Sequence, residues 1–345
     1  MTKNTAPSQG MALWPEGLVR LTQSRWWSVG LGLVPWLGLA ALLVQFWSKS
    51  GTWTLVNVPA LVKMIGSSMW WLANGWRLLV AVIVLPLLGL VVDAIKWSLI
   101  MEDDEDPHRS WWNRVQKNIP ILCYGILGSL WFPARLTEFA GRCRFYPKDQ
   151  HPRVMVSTWL SSSTQWVWVL LVPALAWWLV DPSSKARWAM QWSWAPLDSA
   201  WLSVALGVLA WMAGWAWFTM FRKMQAYAQT YHLSVALQAW SFLRHLFLLG
   251  QWAFWLGLLG LKMDGASVYF LAAMVLAVNW FAPLGVLGEL GLRGLTAFLV
   301  FGPLLPVPTH AMLVPWLIWF TNVGFPALFG GAWWLFWGRS KWRAL

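Results

Sequence analysis

The chain has 345 residues, of which 59% are hydrophobic, only 11% are charged and 35 are tryptophan, and its net charge is +12. So many large amphipathic rings cannot be hidden in a water-soluble core of this size, whereas tryptophan gathers at the interfaces of a bilayer. The positive charge does not indicate a nucleic-acid partner, because the basic residues lie in short loops between apolar runs, as the positive-inside rule requires. Membrane lipids with anionic headgroups are the partners that we expect.

We therefore predict an all-α polytopic protein of the cell inner (cytoplasmic) membrane, with about seven or eight spanning helices. The polar and basic residues 1–26 are predicted to be a cytoplasmic N-terminal segment. Residues 27–338 are predicted to be a single transmembrane domain, and residues 339–345 a short basic tail. Cys123 and Cys143 lack the spacing of a zinc site or a redox pair, so we predict buried thiols and no cofactor.

The spanning helices are predicted from apolar runs of about 20 residues, the length that crosses about 30 Å of hydrocarbon. In chain order these runs lie at about 27–47, 76–99, 154–180, 201–221, 235–261, 268–284 and 312–337. Residues 49–75 are only half apolar, and they are predicted to form an interfacial or partly inserted helix.

Two further apolar segments, at 119–131 and 295–305, are too short to cross a bilayer. The first contains Pro120 and two glycines, and the second contains Gly302 and Pro303. We predict broken or re-entrant helices around a polar cavity, because two such segments in corresponding places of two halves indicate a site at a repeat interface. If the second segment turns back, the C-terminus lies outside, and if it crosses, the C-terminus lies inside; the sequence leaves both open.

Charged residues follow the first short segment and precede the second. Arg135, Glu138 and Arg142 share one helix face at i, i+3 and i+7, and Glu289 again precedes Arg293 by four residues. A glutamate four residues before an arginine is the favourable order for a helical ion pair. Charges at membrane depth face the bundle interior or a watery cavity. These five are candidate cavity-binding residues whose arginines could grip a lipid phosphate, or they are ion-paired helix ends at the interface; both interpretations stay open.

Two further polar sets lie inside apolar runs. Arg244 is followed two turns later by Gln251, so the pair either lines the cavity from a third helix, or Arg244 snorkels to the interface. Asp93 and Lys96 are spaced i, i+3 and are predicted to form a local ion pair near the cytoplasmic surface.

The sequence contains little evidence for a catalytic site. The acidic run at 102–106 could hold Mg²⁺, but no second acidic cluster accompanies it, so a solvated loop and no metal are predicted. The histidines are scattered without an i, i+4 pair, and none is predicted to be a ligand or a general base.

The charged stretches resemble two motifs of the transmembrane-region family named after lysylphosphatidylglycerol synthase, also described as flippase-like. Residues Pro133, Arg135, Glu138 and Arg142 are similar to its first motif, Pro-x-Arg-x-x-Glu-x-x-x-Arg. Its late Gly-x-Glu-x-x-x-Arg motif is matched by Gly288 (offset by one position), Glu289 and Arg293. The chain is also similar to the family at several other positions, which are Lys96, Trp97, Ser241 to His245, Gln251, Asn322 and Pro326. Thr137 departs from the pattern, since the family usually has glycine there.

The resemblance covers about residues 27–338, and it implies a helical domain with two re-entrant segments around a polar cavity. It further implies a role in moving or presenting a polar lipid between leaflets. Well-known members also carry a soluble aminoacyl-transferase domain, for which only about eight residues remain after the last predicted span, so we expect no lysyl transfer and no enzyme activity.

The leading hypothesis from the sequence is a membrane protein that binds and flips a polar or anionic lipid. One alternative is a non-catalytic partner subunit whose tryptophan-rich surface packs on other membrane proteins. The other is a membrane-embedded transferase acting on a lipid-linked substrate, which needs a base or a metal. Association with further copies of the chain, or with another membrane protein, stays open.

Overall fold

The computed structural model describes residues 68–101, 110–129, 138–181, 231–280 and 286–338, together with positions 208, 211 and 215. Regular structure within these ranges is helical throughout, which confirms the all-α class for this part of the chain. The described residues belong to one compact unit, Thr54–Leu345. Outside them lie the predicted N-terminal segment, the predicted span at 27–47, the acidic run at 102–106, Arg135, the span at 201–221 except for the three isolated positions, and the basic tail.

The α-helices have the following bounds. They are α1 Ser68–Leu79, α2 Leu85–Met101, α3 Trp111–Ser129, α4 Glu138–Cys143, α5 His151–Leu179, α6 Tyr231–Leu258, α7 Gly265–Trp280, α8 Val286–Phe301, α9 Leu313–Trp319 and α10 Phe325–Trp333. Short 3₁₀ turns at Lys148–Gln150, Gly302–Leu304 and Pro308–Met312 precede α5, follow α8 and precede α9.

Wider π-helical turns interrupt two of the long helices without ending them. Val80–Val84 joins α1 to α2, and Phe320–Gly324 joins α9 to α10. A third such turn, Trp334–Gly338, follows α10. Single π-turns inside α-helices are rare and occur frequently at functional sites, so the one at Phe320–Gly324 is a position to examine for polar side chains.

Two helical runs are long and apolar enough to cross a membrane. They are Asn74–Met101 with 28 residues and Pro308–Phe336 with 29 residues. Only 33% and 39% of their most apolar windows are buried inside the protein. The core helix of a soluble protein is mostly buried, so length, composition and exposure together suit a bilayer better than a watery surface.

Helices lie at the runs predicted at 76–99, 154–180, 235–261 and 312–337, with changed ends, and the first and last of these runs are the two that are long and apolar enough to cross a membrane. The helix that contains the first of these begins at Ser68, so the last eight positions of the segment predicted to be an interfacial or partly inserted helix are helical and continuous with it. Residues 49–67 of that segment lie outside the described residues. Helix α7 covers most of the predicted run at 268–284 and ends at Trp280.

The prediction of a break at Pro120 is wrong, because α3 runs continuously from Trp111 to Ser129. Proline removes one backbone donor, but neighbouring helices can satisfy the freed carbonyl, and the helix then continues. The interruption predicted near Gly302 is confirmed, since α8 ends at Phe301. Helix α8 begins at Val286, so the second charged stretch and the short apolar segment belong to one helix.

Glycines allow three helices to approach closely around α3. A Cβ atom at Gly330 of α10 would lie 2.4 Å from the carbonyl carbon of Cys123 and 2.5 Å from the backbone nitrogen of Tyr124. A Cβ atom at Gly141 of α4 would lie 3.0 Å from the Cα atom of Gly125. Small residues at such crossings let backbones touch, which is how helices pack where no water drives them together.

The largest apolar core lies among α5 to α9. Trp252 of α6 stacks on Phe301 of α8 with ring centroids 5.7 Å apart, and Trp177 of α5 contacts Phe270 of α7 at 5.0 Å. A second cluster joins α2 and α3 around Trp97. The charged side chains described next lie between these two clusters of packed helices.

Candidate functional site

A cavity of about 140 Å³ lies between the helices, and its lining combines apolar and charged side chains. The charged residues are Asp93, Glu138, Arg142, Arg244 and Arg293, contributed by α2, α4, α6 and α8. Cavities of about 150 Å³ are large enough to hold a benzene molecule, so this one has room for a group the size of a phosphate.

Glu138 and Arg142 form an ion pair on α4, in which Arg142 Nη2 donates to Glu138 Oε1. The pairing predicted from their spacing is therefore confirmed. Both residues are buried, with only 6% of Glu138 and 5% of Arg142 exposed. They line the cavity, which is not what an ion-paired helix end at an exposed interface requires.

Arg142 is held on two more sides by residues of other helices. The guanidinium carbon lies 4.4 Å from the ring centroid of Trp97, within the range of a cation–π contact. Gly125 of α3 provides space for the side chain, since a Cβ atom there would lie 2.7 Å from Arg142 Cγ and 3.0 Å from Nε.

Two nitrogen atoms of Arg142, Nε and Nη1, are buried and have no hydrogen-bond partner within the described part of the chain. A guanidinium carries five N–H donors and no acceptor. Leaving buried donors unpaired costs free energy, and the cost is larger for charged groups. An acceptor that enters the cavity would recover it.

Arg244 of α6 is the second arginine of the cavity, and its partners lie on two other helices. Its Nε atom donates to Asp93 Oδ2 at 3.1 Å, and its Nη2 atom donates to Asn322 Oδ1 at 3.0 Å. Asn322 lies in the π-turn Phe320–Gly324 and extends this hydrogen-bond network, because its Nδ2 atom donates to Gln251 Oε1 at 2.6 Å. Arg244 Nη1 is buried and has no partner among the described residues.

One face of α2 supplies both the carboxylate and the space that Arg244 needs. Gly89 lies four residues before Asp93, so the two residues share a helix face. A Cβ atom at Gly89 would lie 2.8 Å from both Cζ and Nη1 of Arg244. The guanidinium therefore lies directly over Gly89, in a position that no larger residue would permit.

The predicted ion pair between Asp93 and Lys96 is wrong. Asp93 pairs with Arg244, whereas the fully buried Lys96 donates from Nζ to the carbonyl oxygen of Ser161 at 2.8 Å. The physical reason is that α2 is covered by other helices at this level, so both side chains find partners there rather than along their own helix.

The predicted site residues are brought together in part. Glu138, Arg142, Arg244 and Arg293 line the cavity. Gln251 is buried and reaches the cavity through Asn322. Arg135 lies outside the described residues, and Glu289 belongs to α8 while its side chain is not described.

Asp93, Asn322, His245 and Trp252 line the cavity but were not predicted as site residues. Asn322 carried a usable signal, because an amide inside the apolar run at 312–337 needs a buried partner. His245 and Trp252 are both buried, and neither His245 Nε2 nor Trp252 Nε1 has a hydrogen-bond partner among the described residues.

The charged lining has an excess of positive charge. Three arginines face two carboxylates, which gives 3 − 2 = +1, and both carboxylates already accept hydrogen bonds from arginines. Within the described residues no group of three or more His, Cys, Asp and Glu side chains could hold a metal ion. The arrangement is suited to bind an anion.

Comparisons with known proteins give no information about this site, so its function has to be inferred from its geometry. Neither a protein-family model, nor a curated protein, nor a solved structure matches this chain. The resemblance to the lysylphosphatidylglycerol synthase transmembrane region therefore rests on the motifs and similar positions named in the sequence analysis, and it stays a prediction. Arg142 and Arg244, with their free N–H groups in one cavity, are the observation on which a function can be argued.

Proposed function

We propose that this chain is an integral membrane protein that binds a lipid with a polar or anionic headgroup and translocates it between leaflets. The observation that supports the proposal is the cavity in which Arg142 and Arg244 have buried N–H groups with no hydrogen-bond partner among the described residues. Such donors at membrane depth would replace the water that a headgroup leaves behind.

The outward surfaces of the two long helical runs support the membrane part of the proposal. Their exposed large apolar side chains include Trp76, Leu79, Ile83, Leu87 and Leu88 in the first run, and Phe320, Phe325, Leu328, Phe329 and Phe336 in the second. Soluble proteins rarely expose such contiguous apolar patches, whereas hydrocarbon solvates them. The full count of about seven or eight spans, the two re-entrant segments, the inner membrane and a cytoplasmic N-terminus belong to the same proposal.

A polar cavity between apolar helices matches what lipid translocation needs. A headgroup has to cross about 30 Å of hydrocarbon, where an unpaired charge costs several kcal/mol. Arginine suits the task because its planar guanidinium stays charged and can bind a phosphate with two parallel hydrogen bonds. The acyl chains would stay in the bilayer while the headgroup passes the two arginines.

Flipping of fluorescent lipids in proteoliposomes tests the proposal. The wild type is compared with Arg142→Gln and Arg244→Gln, and Arg144→Gln is the matched control, because Arg144 is exposed and stacks on Trp334 at 4.7 Å outside the cavity lining. We expect the cavity variants to lose at least about tenfold in rate, as befits the loss of a charge-assisted hydrogen bond. The control should remain within about twofold of wild type.

Two outcomes would contradict the proposal. Wild type that flips no lipid, whether its headgroup is anionic, zwitterionic or cationic, would favour the partner-subunit alternative. Equal rates in wild type and in the well-folded variants Arg142→Gln and Arg244→Gln would show that lipids take another path. Folding of every variant is checked by its elution profile and its thermal unfolding midpoint in detergent.

A further inference from the structure

Most of the cavity atoms that have no hydrogen-bond partner within the described part of the chain are donors: those of Arg142, Arg244 and Trp252 are N–H groups, whereas His245 Nε2 donates or accepts according to its tautomer. Arg142 contributes two of these N–H atoms, and Arg244 and Trp252 contribute one each. A ligand that satisfies them must present several acceptor atoms close together. The oxygens of a phosphate group meet this need, because they are negatively charged and point in different directions from one centre.

The carboxylates of the cavity are already engaged. Glu138 accepts from Arg142, and Asp93 accepts from Arg244. An ammonium group in the ligand would have to share a carboxylate with an arginine that is already paired to it and that repels the ammonium. It would also meet a lining whose net charge is +1, so like-charge repulsion works against it.

The number of donors favours one form of phosphate. A terminal phosphate monoester presents three acceptor oxygens and a charge of about −1.5 to −2. A phosphodiester has two free oxygens and a single charge, so it satisfies fewer of the N–H groups that face the cavity.

We propose that the cavity recognises a terminal phosphate monoester without an amine, held between Arg142 and Arg244. This inference deepens the proposed function and rests on it for the apolar anchor of the ligand. The recognition itself depends on the phosphate, so a lipid and a water-soluble phosphate share the same chemistry at this site. Preference for phosphate over an amine follows from the N–H groups of Arg142 and Arg244 that have no partner among the described residues, and from the arginines that already pair with Glu138 and Asp93.

Binding to the purified protein in neutral detergent tests the inference by isothermal titration calorimetry. The probes are dihexanoyl phosphatidic acid, dihexanoyl phosphatidylethanolamine and inorganic phosphate. We expect phosphatidic acid to bind at least about tenfold more tightly than phosphatidylethanolamine, because the ethanolamine carries the ammonium that the cavity disfavours. Equal or tighter binding of phosphatidylethanolamine, or no binding of phosphatidic acid, would overturn the inference.

Inorganic phosphate distinguishes the two sources of the ligand. If it binds much more weakly than phosphatidic acid, the phosphate belongs to a lipid whose anchor also contributes. If both bind equally well, the assignment of phosphate stands, and its natural source is water-soluble. In either case Arg142→Gln and Arg244→Gln should weaken binding at least about tenfold, while Arg144→Gln should change it by less than about twofold.

Gly89→Ala changes no charge, so it tests whether the position of the Arg244 guanidinium matters independently of its charge. Its Cβ atom would meet the far end of the Arg244 side chain, which is flexible and can move away at little cost to stability. We expect weaker phosphatidic acid binding with a nearly unchanged unfolding midpoint. Unchanged binding would show that the placement of Arg244 over Gly89 does not matter for the ligand, and it would contradict the inference even if an arginine variant failed to fold.

The two proposals can fail separately. Flipping of phosphatidylethanolamine in proteoliposomes without any binding of phosphatidic acid would contradict the phosphate inference but would support translocation. If the protein binds phosphatidic acid, loses this binding in Arg142→Gln and flips no lipid, translocation is contradicted and the phosphate site is supported.

Discussion

Arg142 and Arg244 line the same cavity, but the protein holds them in different ways. Arg142 pairs with Glu138, four residues away on the same short helix. Arg244 pairs with Asp93 and Asn322, which are 151 and 78 residues away in the sequence. The first pair depends mainly on one helix, whereas the second exists only when α2, α6 and the π-turn after α9 are assembled.

This difference has a consequence for motion. If helices shift during a transport cycle, the Glu138–Arg142 pair can travel with α4 as a unit. The bonds of Arg244 join three separate elements, so a shift between them must break some of these bonds. We infer that Arg244 responds to the arrangement of the helices and that Arg142 presents a constant donor surface. The following variants test this contrast, from the largest expected effect to the smallest.

Gly330→Ala should have the largest effect, because it disturbs the packing that both arginines share. The new Cβ atom would overlap the backbone of α3 at Cys123 and Tyr124, which cannot move like the end of a side chain. Overpacking costs typically about 1–3 kcal/mol and occasionally more, and because the new atom would overlap backbone, the cost here should exceed that of losing one side-chain partner. We expect a clear fall in the thermal unfolding midpoint in detergent. A midpoint equal to that of wild type would mean that α3 and α10 do not cross as closely as described.

Glu138→Gln and Asp93→Asn compare the two carboxylates directly. Removing the partner of a buried ion costs about 3–5 kcal/mol, and the side chains of the Glu138–Arg142 pair are only 8% and 7% exposed. Asp93 is 29% exposed at its side chain, so water compensates for part of its loss and the cost should be nearer 1–2 kcal/mol. The midpoint should therefore fall further in Glu138→Gln than in Asp93→Asn.

The reverse order of these two midpoints would contradict the assignment of the more buried pair to α4. Phosphatidic acid provides a second check, since it should raise the midpoint of Glu138→Gln by supplying a negative partner for Arg142. No such rise in Glu138→Gln, in a preparation where wild type is stabilised, would mean that the ligand does not reach Arg142.

Asn322→Ala should have an effect on stability as small as that of Asp93→Asn. It removes one acceptor from Arg244 and one donor to Gln251, which is about 1–2 kcal/mol for two partly buried hydrogen bonds. We expect a modest fall in the midpoint, together with a loss of lipid flipping that exceeds the loss of phosphatidic acid binding, because the bonds of Arg244 couple the helices. Equal losses in both assays would remove the contrast between the arginines.

The sequence predictions that were confirmed are those that depend on local patterns. The pairing of Glu138 with Arg142 follows from their spacing on one helix, and the apolar runs follow from length alone. The partners of Arg244 could not be predicted, because a contact across 151 residues leaves no trace in a single sequence. The same limit explains the wrong pairing of Asp93 with Lys96, where spacing along one helix was outweighed by helices that pack against it.

Pro120 shows a second limit of the sequence. Its ring predicts a break, and whether the helix continues depends on neighbours that only the fold supplies. Asn322 shows the opposite case, in which a polar residue in an apolar run indicated a buried partner but not its identity. The two carboxylates and three arginines of the cavity thus form one site only through the packing of α2, α4, α6 and α8.

The π-turn at Phe320–Gly324 sets the rotational phase of the helix that contains it. Each residue of an α-helix advances the chain by about 100°. Over the 330 − 318 = 12 steps from Ile318, which lines the cavity, to Gly330, which touches α3, a regular helix would separate the two by about 120°. A π-turn absorbs one extra residue and reduces this angle to about 20°. The number of residues in this turn, rather than any side chain in it, is therefore what lets one helix face both the cavity and α3.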